Sequence, residues 1–162
     1  MTQLPLFEEH KETIGKVMYE YFFLISPDWS VKKAVKEIKK QLDNEIGLDK
    51  ADIHSVPHIS LFKIRDSSPT IDISKYAETL SKARAFEVNV NGCGLFDQYN
   101  GKKTLYLKIK EQDTIGNLYY ALIKCRGYDE SSGFVPHITI ARNISPRKLN
   151  NVFDLSGFRV KG

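Results

Sequence analysis

Two short segments carry the side chains best suited to chemistry. Val56-Pro57-His58-Ile59-Ser60-Leu61 and Val135-Pro136-His137-Ile138-Thr139-Ile140 repeat one pattern; four positions are identical and the others exchange Ser for Thr and Leu for Ile. On a β-strand, residues i and i+2 share a face. His58 therefore projects with Ser60, and His137 with Thr139, while Ile59 and Ile138 turn toward a core. Pro57 and Pro136 lack an amide hydrogen and suit the first residue of a strand or an edge.

Each copy thus offers an imidazole beside a hydroxyl on rigid backbone. Two imidazoles of ordinary pKa, about 6.5, can act together as base and acid. The reaction that fits best is phosphoester cleavage without a metal. One neutral histidine takes a proton from the nucleophile and the other, as imidazolium, gives one to the leaving oxygen. Ser60 and Thr139 would hydrogen-bond the non-bridging oxygens as charge builds there. A lone His-x-Ser carries little information. Two copies count for more, because duplication alone preserves packing residues and has no reason to keep a polar pair on one face.

The elements that must position these residues can be read in order. Met18–Ile25 is aromatic and apolar and reads as a buried strand. Asp28 or Ser30 can cap a following helix, in which Val31, Ala34, Val35, Ile38 and Leu42 form the apolar stripe and Gly47 the end. The first motif copy runs as a strand from about Pro57 to Ile64, and a shorter helix spans about Ile73 to Ala83. Phe86, Val88 and Val90 alternate with polar residues as in a half-buried strand, and Asn91-Gly92-Cys93-Gly94 is a bend or bulge before Leu95-Phe96. Asn100-Gly101 is a hairpin turn. It leads into a strand over Lys103–Lys110, with Leu105, Leu107 and Ile109 on one face and Tyr106, Lys108 and Lys110 on the other. Ile115, Leu118, Tyr119 and Leu122 mark a third helix, and a loop from Gly127 to Gly133 delivers the second copy. The order β-α-β-α-β-β-α-β predicts an α+β chain with an internal duplication. Residues 1–16 read as an arm, and the tail from Phe153 as the approach to a further strand.

Composition sets the limits. At 162 residues, 41% hydrophobic and 27% charged, the chain suits one globular domain spanning 1–162, with two packed halves. No run of about 18 apolar residues offers a membrane span. The N-terminus lacks the basic and apolar regions of an export signal, so we expect a cytoplasmic protein. There Cys93 and Cys125 would be unpaired fillers rather than nucleophiles or zinc ligands. The net charge of +4 is compatible with an anionic substrate. Lys32, Lys33, Lys36, Lys39 and Lys40 read as the solvated side of the first helix rather than as a nucleic-acid stripe.

The two motifs, His58-Ile59-Ser60-Leu61 and His137-Ile138-Thr139-Ile140, resemble the signature of the two-histidine phosphoesterase superfamily. This is the group of 2′-5′ RNA ligase-like proteins and RNA 2′,3′-cyclic phosphodiesterases. Phe22-Phe23-Leu24-Ile25-Ser26-Pro27 and Leu105-Tyr106-Leu107 are also similar to its pattern. The resemblance implies a bilobal α+β fold, two antiparallel sheets facing a central cleft with helices outside. It implies His58 and His137 as catalytic residues, Ser60 and Thr139 as phosphate-binding residues, and no metal or cofactor. The implied substrate is an RNA end or small nucleotide, with no membrane and no obligate protein partner, and we expect a monomer. The first strand lacks the basic residue often seen in the family.

Other residues are weighed individually. Arg142, at i+5 from His137, falls on the opposite face by simple alternation but is a candidate for reaching phosphate from the strand end. Tyr106 could stack on a base, although we favour a sheet aromatic; Phe62 and Phe134 are assigned to core packing. His54 precedes His58 by four residues, a metal-pair spacing on a helix, but the surroundings read as loop to strand. The reading is a metal-independent cyclic phosphodiesterase. Its alternatives are a 2′-5′ RNA ligase or 2′-5′ oligonucleotide phosphodiesterase with the same four residues, or a non-catalytic RNA- or nucleotide-binding module.

Overall fold

The structure is a computed structural model that describes residues 17–125, 127, 133–154 and 159–160. The proposed N-terminal arm and most of the loop before the second motif lie outside them. Strand β1 (Tyr19–Ile25) is followed by helices α1 (Trp29–Ile46) and α2 (Lys50–His54), then β2 (Ile59–Asp66) and α3 (Ser74–Ser81). The hairpin β3 (Val90–Asp97) and β4 (Lys103–Ile109) precedes α4 (Gln112–Lys124), β5 (His137–Ile144) and α5 (Pro146–Val152). A two-residue pair, β6 (Phe153–Asp154) and β7 (Arg159–Val160), closes the described chain where a further strand was expected.

The local signals explain most boundaries. Asp28 caps α1, its carboxylate accepting the Val31 N–H at 3.0 Å, and Gly47 ends it with φ of 66°, a left-handed conformation that glycine adopts at little cost. The Asn100-Gly101 turn forms, with Gly101 at φ 74°. Two helices escape the sequence pattern because they are too short to show a period. Helix α2 is a single turn bonded back to the Asp49 carbonyl, and α5 starts on Pro146, a residue pre-set for a first helical position.

Three expectations are corrected. Residues 86–89 are not strand: regular pairing begins at Val90, and the register slips between Val90 and Cys93, around Gly92 at φ 74°. Ala34 is exposed. Lys39 is not on the solvated side of α1; it is buried with Val35, Leu42 and Ile46.

The architecture of the sheet is corrected as well. Instead of two facing sheets there is one five-stranded antiparallel sheet, ordered β1-β2-β5-β4-β3. Its two parts meet at a single register pair, Ile59 with Ile138. The reason is where the strands begin. Strand β2 starts at Ile59 and β5 at His137, so antiparallel strands joined at their first residues run apart on either side of the junction. Helix α2 takes up the edge of β5 that β2 leaves open: the Asp52 carboxylate accepts the Arg142 backbone N–H at 2.8 Å.

The core lies on the face of Ile59 and Ile138, each 1% exposed. Val35, Leu42 and Ile46 from α1, Ile115 from α4, and Leu149 and Val152 from α5 pack there against Leu105, Leu107, Ile109, Ile140 and Ile144. Helix α3 joins the same face through Tyr76, which meets the stacked rings of Phe23 and Phe62. Phe134 stacks on Tyr119 at 4.0 Å, so Phe62 and Phe134 are packing residues as expected. Alternation therefore sends His58, Ser60, His137 and Thr139 to the other face.

Candidate functional site

The Ile59–Ile138 pair brings both motif copies together. Counting outward from an antiparallel pair, His58 lies across from Thr139, and Ser60 across from His137. On its other side β5 pairs with β4, setting Tyr106 beside Thr139 and Lys108 beside His137. The four motif residues expected to act together thus share one face at the seam, with Tyr106 and Lys108 adjoining. The histidines and Thr139 are half-buried, and Ser60 is exposed.

The imidazoles are oriented identically. His58 Nδ1 lies 2.8 Å from the Val56 carbonyl, and His137 Nδ1 lies 2.7 Å from the Val135 carbonyl. A carbonyl oxygen can only accept, so in each ring Nδ1 carries the hydrogen and Nε2 holds a lone pair. This arrangement leaves Nε2 as the nitrogen that can exchange a proton with a substrate. The intervening Pro57 and Pro136 hold φ near the value proline imposes and so help aim the carbonyl two residues before each histidine.

The two bearing segments are anchored by different means. Before His58, the buried Lys39 ammonium donates to the Asp52 carbonyl at 2.8 Å, the Ser55 carbonyl at 2.9 Å and the Ser55 hydroxyl at 2.6 Å. Burial holds the Lys39 ammonium below its ordinary pKa, with the Asp52 carboxylate opposing that shift. Before His137, the Gln112 side-chain amide donates to the Pro136 carbonyl at 3.1 Å and the Ile109 carbonyl at 2.7 Å. The repeat in the sequence gave no sign of either anchor.

An aromatic wall stands on the β4–β3 side. Tyr106 and Phe96 stack with centroids 4.0 Å apart, and His137 meets both edge-on at 5.3 and 5.0 Å. Tyr106 is therefore a sheet aromatic that also buttresses an imidazole. Gly94 makes this possible: it pairs with Tyr106, and a Cβ there would overlap the ring at Cζ. Phe96 and Gly94 were missed in the sequence, although the glycine pair around Cys93 was a signal of close approach.

Arg142 does not join the histidines. The β4–β5 register slips at Ile140, so Ile140 and Ala141 are both fully buried and simple alternation ends there. The Arg142 guanidinium lies 3.3 Å from the Asp52 carboxylate and lines a separate cleft of about 260 Å³ with Lys102, Asn143 and Lys148. His54 is on helix α2, not in a loop, and lines a cleft with Lys32, Lys36 and Pro57. Both cysteines are free; Cys93 packs against the core, where burial pushes its thiol pKa up, and Cys125 Sγ lies 2.9 Å from the Thr79 hydroxyl. No helix among the described residues is long and apolar enough to cross a membrane.

The fold and the paired motifs define a class. The sequence model of the 2′-5′ RNA ligase superfamily matches residues 27–158, and the chain belongs to that superfamily. Similar proteins named "Putative phosphoesterase" occur in Staphylococcus aureus strains Newman and NCTC 8325. Each is 25% identical over 131 residues, covering 78% of this chain and 73% of the relative. Membership points to phosphoesterase or RNA ligase-like chemistry on this scaffold.

Proposed function

We propose that the protein is a phosphodiesterase that opens a 2′,3′-cyclic phosphate at an RNA end or on a nucleotide, with His58 and His137 as its acid–base pair. The observation that carries this reading is the matched orientation of the imidazoles: both Nδ1 atoms bond to the carbonyl two residues before, across one strand junction. In the reaction, neutral Nε2 of one histidine takes a proton from water as the water oxygen bonds to phosphorus. The bond from phosphorus to one ribose oxygen breaks, and the other histidine, protonated at Nε2, donates to that oxygen. The product is a phosphomonoester, and the two histidines end with their protonation states exchanged. Ser60 and Thr139 hydrogen-bond the non-bridging oxygens, where a single well-placed donor is worth about 10²–10³ in rate.

The superfamily's description favours one second reading, joining or cleaving a 2′-5′ linkage with the same four residues. A substrate panel separates the two: 2′,3′-cyclic nucleotides, 2′-5′ linked dinucleotides, and RNA fragments ending in cyclic phosphate. On the cyclic substrate His58→Ala and His137→Ala should each lower kcat by about 10²–10⁴, and turnover should persist in EDTA. Undiminished hydrolysis by either variant removes that histidine from the mechanism.

A further inference from the structure

The β1–β2 wing of the sheet presents a second surface on the histidine face. In β1 the side chains alternate: Tyr21, Phe23 and Ile25 are half-buried toward the helices, while Glu20, Phe22 and Leu24 are exposed. The register sets Leu24 beside Ser60, Phe22 beside Lys63 and Glu20 beside Arg65. Phe22 and Leu24, 48% and 43% exposed, therefore continue the row that begins with the first motif's hydroxyl. The slip in β2 between Ser60 and Phe62 returns Lys63 to this face, where its ammonium sits 4.1 Å over the Phe22 ring.

A single exposed apolar residue needs no explanation. Here two are contiguous, share a face with both imidazoles, and lie under a cation. Glu20 organises the group, pairing with Arg65 at 2.7 Å and Lys63 at 3.6 Å, and the Arg65 hydrogen bond followed by the Lys63 charge holds its carboxyl below the usual range. Lys63 and Arg65 thus place two cations beside the Glu20 carboxylate. An aromatic platform with adjacent cations on an open sheet face is the arrangement that grips single-stranded RNA: bases stack on the ring and phosphates meet the cations.

We propose that this wing is a nucleotide subsite for single-stranded RNA, with a base on Phe22 and Leu24 and a backbone phosphate at Lys63 and Arg65. This rests on the phosphodiesterase reading and narrows its substrate to an RNA chain rather than a mononucleotide. The Phe96–Tyr106 wall abuts His137 and is the nearer surface for the nucleoside bearing the reacting phosphate. Phe22 lies two residues beyond the Leu24–Ser60 row, about 7 Å along the strand, and suits the adjoining nucleotide.

The test compares wild type, Phe22→Ala and Lys63→Met on 2′,3′-cyclic AMP and on an RNA tetranucleotide ending in 2′,3′-cyclic phosphate. Wild type should prefer the tetranucleotide in kcat/KM, and Phe22→Ala should cut the ratio between the two substrates by about tenfold. An unchanged ratio overturns the subsite. Fluorescence anisotropy with a labelled tetranucleotide carrying a 3′-phosphate reads binding without turnover. Phe22→Ala should weaken it, and Lys63→Met should lower the salt slope by about one phosphate contact; binding indifferent to Phe22 overturns the proposal. The two readings fail separately. RNA binding through Phe22 without hydrolysis sinks the reaction and keeps the subsite, whereas hydrolysis with an unchanged substrate ratio does the reverse.

Discussion

Ile59 faces Ile138 across the one register pair that joins β2 to β5, so equivalent positions of the two motif copies meet each other. Both side chains are buried on the helical face, and antiparallel pairing then places each histidine opposite the other copy's hydroxyl. A single hydrophobic contact thereby sets the relative placement of four polar groups. It also explains why the sheet is continuous yet barely joined: every further residue of β2 or β5 leads away from the seam.

The two carbonyl contacts predict the tautomer of both rings. With Val56 and Val135 accepting from Nδ1, the neutral imidazoles should carry the hydrogen on Nδ1. Nitrogen-15 chemical shifts of labelled His58 and His137 at alkaline pH will show this. Hydrogen on Nε2 in either ring would mean that its orientation differs from the one described.

Gly94→Ala should damage the site through Tyr106. The new methyl overlaps the Tyr106 ring, so the ring must shift off Gly94, disturbing its edge-on contact with His137. Overpacking of this kind costs about 1–3 kcal/mol, and turnover should fall while the fold persists. Combining Gly94→Ala with Tyr106→Ala should remove most of the stability cost, a non-additivity readable by urea denaturation.

Lys39→Met should loosen the segment that carries His58. It removes the donor shared by the Asp52 carbonyl, the Ser55 carbonyl and the Ser55 hydroxyl, and losing hydrogen bonds from a charged group costs about 1.5–3 kcal/mol. At temperatures where the variant is folded, kcat should still drop, because Ser55 adjoins the carbonyl that orients His58. The pH dependence has a definite sign. The folded pKa of Lys39 is depressed by burial, so between that value and the ordinary one of about 10.5 the unfolded chain binds more protons and stability rises with pH. The methionine variant should lack that alkaline rise.

Asp28 links the start of α1 to acid stability. The Val31 N–H, and then the Ser30 hydroxyl, hold its carboxyl below the ordinary value of 3.8. A depressed carboxylate stabilises the fold above its unfolded pKa, and the contribution disappears as pH falls through the folded value. Asp28→Asn keeps a capping oxygen that does not titrate. Thermal midpoints followed from neutral pH downward should therefore fall less in the variant across that acid window.

Much of the site was legible in order along the chain. The repeated Pro-His-Ile-(Ser/Thr) signalled two proton carriers and two hydroxyls, and period-2 alternation assigned their face. The α1 cap at Asp28, its end at Gly47 and the turn at Asn100-Gly101 are local chemistry, readable from neighbouring residues. Lys39 was misread for the opposite reason: helical periodicity in that stretch marks it as polar, while its burial depends on carbonyls 13 and 16 residues away. The 86–89 stretch was misjudged because the bulge at Gly92 resets strand parity, and a bulge is set by the partner strand; the position of the Arg142 guanidinium depends on Asp52, 90 residues away.

The sequence by itself determined the chemical endowment: which groups can carry protons, which can hold oxygens, and that they come in matched pairs. Tertiary structure alone decided how the pairs meet. The one-residue overlap of β2 and β5, the anchors Lys39 and Gln112, and the Phe96–Tyr106 wall closed over Gly94 all join residues far apart in the chain. Such contacts form only when burial of a shared core makes the ordering of both partners favourable, and no local pattern names both partners.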